Sequence, residues 1–96
     1  MIFTTKRGIT MGEFIRKFTQ LNGGTATIIL DHSLFGQQKI SSQKVQVIED
    51  DVKLGLTLRG QAVFVYKDRL KSMELGDEVV EFADDKLRIL IKFKKV

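Results

Sequence analysis

Hydrophobic positions along this chain change their period once, near residue 24. Before that point Met11, Phe14, Ile15, Phe18 and Leu21 recur every three or four residues, with Glu13, Arg16, Lys17 and Gln20 between them. That spacing puts the apolar side chains on one stripe of a helix and the polar ones opposite. Thr10 and Glu13 have the spacing of a capping box, in which the threonine oxygen accepts from the residue-13 amide and the glutamate reaches back. Ile9 and Phe14 stand where a hydrophobic staple closes over such a cap. Asn22-Gly23-Gly24 supplies a left-handed stop. The pattern predicts a helix over residues 11–21.

After the stop the period falls to two. Thr25 to Leu30 is a β-rich run ending at Asp31, followed by a polar loop, to about Lys39, in which Leu34 and Phe35 are embedded. Ile40 to Ile48 reads as a second strand with Val45 and Val47 on one face. Beyond a turn at Asp50-Asp51, Val52, Leu54, Leu56 and Leu58 alternate with Lys53, Gly55, Thr57 and Arg59. Arg59-Gly60 reverses the chain into a strand from Gln61 to Lys67. Residues 68–75 fit either a strand or a helical turn, with strand preferred. Gly76-Asp77 breaks the run, residues 78–83 form another strand, and Asp84-Asp85-Lys86 is a hairpin loop. Leu87, Ile89, Ile91 and Phe93 alternate in the last strand.

Short strands with one apolar face, joined by tight turns, predict antiparallel pairing with a dry side and a wet side. The expected class is α+β, mostly β. The N-terminal amphipathic helix packs on a curved five- or six-stranded antiparallel meander, or caps the same strands curled into a small barrel. The 96 residues are expected to form a single domain, 1–96.

Composition narrows the function classes. With no cysteine, disulfides and thiolate metal sites are excluded. No apolar run approaches the length of a signal-peptide core or a membrane span, so a cytoplasmic protein with no membrane association is expected. The net charge of +4 favours a polyanionic partner, but its distribution weakens that inference. Residues 1–48 carry six Lys/Arg and two Asp/Glu, whereas residues 49–96 carry ten of each. A basic tail, Lys92 to Lys95, closes the chain.

Candidate chemistry is sparse. Asp31-His32-Ser33 has the letters of a hydrolase triad, but a triad needs its histidine between the two partners in space, which three consecutive residues do not provide. His32 is the single histidine, so a multi-histidine metal site is excluded. Glu49-Asp50-Asp51 lacks the spacing of a calcium loop and reads as turn chemistry, as does Asp84-Asp85. Gly23-Gly24 follows its helix, where the backbone presents carbonyls, so it is a cap and not a phosphate cradle. No convergent carboxylate pair is identifiable, so neither catalysis, a small-molecule substrate, a cofactor nor a metal is expected. Leu34 and Phe35 have two readings: they fold under to plug the core, which is the first expectation, or they project to meet a partner.

The segment Val65-Tyr66-Lys67-Asp68-Arg69-Leu70-Lys71-Ser72 resembles the second Sm motif of the Sm-like proteins of the bacterial host-factor RNA-chaperone type, where a valine-tyrosine-lysine-histidine run precedes an apolar residue and a serine. The order of helix, then strands, is similar too. The resemblance implies a bent five-stranded barrel that assembles into a ring by strand pairing, with Tyr66 near the subunit contact and Lys67 at an RNA-facing pore. The chain departs from the motif in placing Asp68 at the histidine position. The first Sm motif does not align through residues 26–50, and an additional hairpin follows.

Two functions follow as expectations for a non-catalytic binding module. In the first, a self-assembling Sm-like homo-oligomer binds single-stranded RNA or DNA. Arg7, Arg16 and Lys17, with Lys67, Arg69 and Lys71, contact phosphates, and Tyr66 offers a stacking face. In the second, a protein-interaction or assembly domain uses exposed strand edges and the Leu34-Phe35 loop, with no nucleic-acid role.

Overall fold

The structure, a computed structural model, describes residues 4–5 and 10–93. Arg7, Ile9, Lys94 and Lys95 lie outside the described residues. The elements run in the order β1 (Thr4–Thr5), α1 (Met11–Thr19), β2 (Thr25–His32), β3 (Gly36–Lys44), β4 (Gln46–Glu49), β5 (Lys53–Leu58), β6 (Gln61–Tyr66), a 3-10 turn (Lys67–Arg69), β7 (Ser72–Leu75), β8 (Val79–Ala83) and β9 (Leu87–Phe93). This is a mostly-β α+β fold.

Helix α1 starts where its cap requires. Thr10 is extended, at φ −85° and ψ 162°, and its Oγ1 accepts from the Glu13 amide at 3.1 Å. Phe14 and Phe18 are fully buried, with Met11, Ile15 and Leu21 packed beside them, while Glu13, Arg16, Lys17 and Gln20 face solvent. The helix ends at Thr19 because its final turn tightens: the Leu21 and Asn22 amides donate to the Phe18 and Thr19 carbonyls.

The strands sort into two sheets and not one. The larger has the order β1-β7-β8-β9-β2-β3, antiparallel except for the parallel β1–β7 contact, and the smaller has the order β4-β5-β6. Strands β7, β8 and β9 form a meander, as do β4, β5 and β6, but β2 joins the large sheet beside β9. The expected continuous strand over residues 40–48 is divided. Between the Ala26–Gln43 and Ile28–Ile40 pairs, β3 carries one extra residue, a bulge that bends it. After Val45 the chain leaves the large sheet and enters the small one as β4.

The stop after α1 fixes this corner. The Gly23 amide donates to the Val45 carbonyl at 2.8 Å, the Val45 amide to the Gly24 carbonyl at 2.7 Å, and the Val47 amide to Asn22 Oδ1 at 2.9 Å. Asn22-Gly23-Gly24, expected to stop the helix directly, instead lies past its end at Thr19 and clamps the place where the strand changes sheets.

Both sheets and the helix enclose one core. Phe82 of β8 lies edge-on to Phe14 (centroids 5.9 Å apart) and to Phe18 (5.2 Å), so helix and large sheet meet through three rings. Leu54, Leu56, Leu58 and Val65 of the small sheet pack into the same cluster as Ile28, Leu30, Ile89 and Ile91. Gly55, on the face predicted to be wet, is buried where β5 runs close beside its partner strand β6. Residues 68–75 contain both predicted alternatives, a 3-10 turn and then strand β7.

Candidate functional site

The β2–β3 connection is far shorter than the polar loop read from sequence. His32 pairs with Gly36, so the loop is Ser33-Leu34-Phe35 alone, and Gly36 takes φ 81° as the left-handed residue such a loop requires. A three-residue apex cannot reach back to the core. Leu34 is 83% exposed and Phe35 84%, which corrects the expectation of a core plug. The Phe35 ring stands edge-on to His32 at 5.7 Å, so one side of it is supported while the rest faces solvent. The Ser33 amide donates to the Lys86 carbonyl at 2.9 Å, holding this hairpin beside the β8–β9 hairpin.

At the far end of the small sheet Tyr66 closes β6 and precedes the 3-10 turn. The Lys67 amide donates to the Val52 carbonyl at 2.8 Å, joining that turn to the β4–β5 turn. Asp50 builds the latter: one carboxylate oxygen accepts from the Val52 amide at 2.8 Å and the Lys53 amide at 2.7 Å. These two backbone bonds, the Val52 bond first, hold the Asp50 carboxyl below the usual aspartate range. Between the two turns lies a cleft of about 500 Å³ lined by Asp51, Val52, Tyr66, Lys67, Asp68 and Arg69. Val52 is 54% exposed and Tyr66 46%.

The cations predicted to bind nucleic acid are divided among different environments. Lys67 Nζ lies 2.5 Å from Glu49 Oε2, and both side chains are mostly covered. Lys71 Nζ lies 3.8 Å from Asp85 Oδ1 in a more open pair. Arg69 has no ion-pair partner among the described residues, and Asp68 is exposed beside it in the 3-10 turn. Arg16 and Lys17 stand on the solvent face of α1, a separate element. Tyr66, Lys67 and Arg69 thus share one turn, while Lys71, Arg16 and Lys17 belong elsewhere.

On the outer face of the small sheet, sequence reasoning missed a row of contacts. Lys53 Nζ sits 5.0 Å from the Phe64 ring centre, and Phe64 lies edge-on to Tyr66 at 5.5 Å. Alternation along β6 carried the only signal for it. A larger groove, about 990 Å³, runs between the end of α1 and the β2–β9 pair, lined in part by Leu21, Ala26, Val45, Val79 and Phe93. Among the described residues no group of three or more His, Asp or Glu side chains is placed to hold a metal ion. No helix among them is long and apolar enough to cross a membrane.

No protein-family model, curated protein or solved structure matches the chain.

Proposed function

We propose that the chain is a non-catalytic protein-interaction and assembly domain that docks through the Leu34-Phe35 tip. The observation that carries this reading is the exposure of both side chains at the apex of a tight hairpin. Turn apices favour Gly, Asn, Asp and Ser for backbone reasons, and neither leucine nor phenylalanine serves the turn. Two adjacent apolar side chains in water, one braced by His32, instead suit a contact surface. Strand β3, which ends the large sheet, adds an open edge along the same hairpin.

A photo-crosslinking residue placed at position 34, with the same residue at Arg59 on another hairpin apex as control, tests the reading in cells that make the protein. Adducts at 34 well above those at 59 are expected. Equal or absent adducts at 34 would remove the proposal.

Single-stranded nucleic acid is the second reading, and two observations favour it. Tyr66 is half exposed, and Arg69, which lines the same cleft, has no ion-pair partner among the described residues. Against it, Lys67 and Lys71 already face carboxylates, and Asp68 lies in the turn. Oligonucleotide binding that weakens steeply with added salt is the mark of this reading. No gel shift at low salt would end it.

A further inference from the structure

Among the described residues the exposed large hydrophobics are four: Leu34, Phe35, Val52 and Tyr66. They form two pairs of opposite shape. Leu34 and Phe35 make a knob at a hairpin apex, and Val52 and Tyr66 wall the cleft between the β4–β5 turn and the 3-10 turn. We propose that this cleft receives the Leu34-Phe35 tip of a second copy, so that copies of the chain add head to tail. The inference rests on the reading of the tip as a contact surface and names its partner.

The same contact is not made within one chain, where Leu34 and Phe35 stay exposed. The knob lies at the start of β3 and the cleft at the end of β4, the two ends of one strand path from Gly36 to Glu49. The 3-10 turn leads into β7 and the knob caps β2, three strand positions away in the large sheet, a gap of roughly 14 Å at about 4.8 Å per strand that a three-residue tip does not span.

Charge also matches. Asp51 and Asp68, on the rim of the cleft, have no ion-pair partner among the described residues. Beside the knob stands exposed Lys86, whose carbonyl holds Ser33, and Lys39 lies further along β3. Both lysines are likewise unpaired among the described residues. Among the described residues the cation without an ion-pair partner on the cleft side is Arg69, Lys67 being held by Glu49; on the knob side Asp31 is such a carboxylate, while Asp84 accepts from the amides of its own turn and Asp85 faces Lys71. Knob and cleft are different surfaces, so the contact is heterologous. It leaves a free knob and a free cleft at the ends of each assembly unless a ring closes.

Two exposed substitutions test this by sedimentation velocity over a concentration series, with circular dichroism confirming each fold. Wild type should rise above 10.9 kDa as concentration increases. Phe35→Ser, which loses the knob, and Val52→Glu, which places a charge in the cleft, should each weaken association at least about tenfold. Mixed in equal amounts they should form one species at twice 10.9 kDa, since the first keeps an intact cleft and the second an intact knob. Leu34→Ser and Tyr66→Ala form a second pair with the same expectation, should either first variant fail to fold.

Wild type that stays at 10.9 kDa, a mixture that stays monomeric, or Val52→Glu associating as wild type does would each overturn the head-to-tail contact. Photo-adducts at position 34 whose mass is not a whole multiple of the chain would overturn it too, while leaving the tip as a contact surface. Association unaffected by Phe35→Ser would sink both.

Discussion

Replacing Gly55 by alanine adds one carbon at the tightest point of the small sheet. Gly55 pairs with Ile48 on one side and Phe64 on the other. Cross-strand partners ordinarily keep their Cβ atoms about 4.5–5.5 Å apart. A Cβ at Gly55 would stand 2.1 Å from the Val63 carbonyl oxygen and 2.5 Å from both Cα and Cβ of Phe64. Those atoms belong to the β6 backbone or are bonded to it, so no rotamer change relieves the overlap. Restoring ordinary contact moves the strands apart by roughly 1 Å, enough to break the neighbouring ladder hydrogen bonds. Two such bonds contribute about 1 kcal/mol each, and overpacking costs about 1–3 kcal/mol more. The unfolded-state gain of alanine over glycine offsets about 0.4–1 kcal/mol of this. The net loss is about 3 kcal/mol, or a fall in Tm of roughly 12–24 °C for a domain of this size. Thermal melts followed by circular dichroism read it. Gly24→Ala is the control: its Cβ would rest 3.4 Å from the Leu21 carbonyl oxygen, and about 1 kcal/mol or less should be lost. A Gly55→Ala protein melting within about 4 °C of wild type would refute the close approach of β5 and β6.

Phe82→Ala removes the ring that meets both helix phenylalanines and should cost about 3–5 kcal/mol, a large share of a domain's stability; a denaturant midpoint near that of wild type would contradict it. Phe35→Ser should change stability by less than about 0.5 kcal/mol, because the ring is already in water, and a large loss would mean that the tip serves the fold. Lys67→Ala breaks a partly covered ion pair and should cost about 1 kcal/mol or less after solvent screening, with no change in oligonucleotide affinity; a marked affinity loss would return Lys67 to the nucleic-acid reading. The Asp50 carboxyl titrates lower folded than unfolded, so its stabilisation is complete above the ordinary aspartate range and is lost as pH falls through the folded value. The stability gap between wild type and Asp50→Ala should therefore narrow in acid, and a gap independent of pH would count against the turn.

Much of the fold is legible in the chain because its determinants are local. Thr10 and the Phe14-Phe18 stripe define α1 from neighbouring residues alone, although it ends at Thr19, before the glycines, and Leu54, Leu56 and Leu58 define β5 by alternation. Arg59 and Gly60, at φ 51° and 81°, make the two-residue reversal that their position suggests. What is not legible depends on residues distant in sequence. Nothing between Ile40 and Ile48 marks a change of sheet, because the clamp on Val45 comes from Asn22-Gly23-Gly24. Gly55 reads as a wet position until β6 covers it. The same is true of the candidate sites. Lys67 and Lys71 look like a basic segment, but their charges meet Glu49 and Asp85, which the fold brings from other elements. Leu34 and Phe35 were misplaced for another reason: hydrophobicity argues for burial, while a three-residue hairpin leaves no chain with which to reach the core.

Amide spectra recorded by NMR from dilute to concentrated protein test the head-to-tail account most directly. Two separate groups of signals should move together as concentration rises, residues 33–36 at the knob and residues 51–52 with 66–69 at the cleft. Those of Arg16 and Lys17 on α1 should stay still. Spectra that do not change with concentration, or that change at the knob without the cleft, would contradict it.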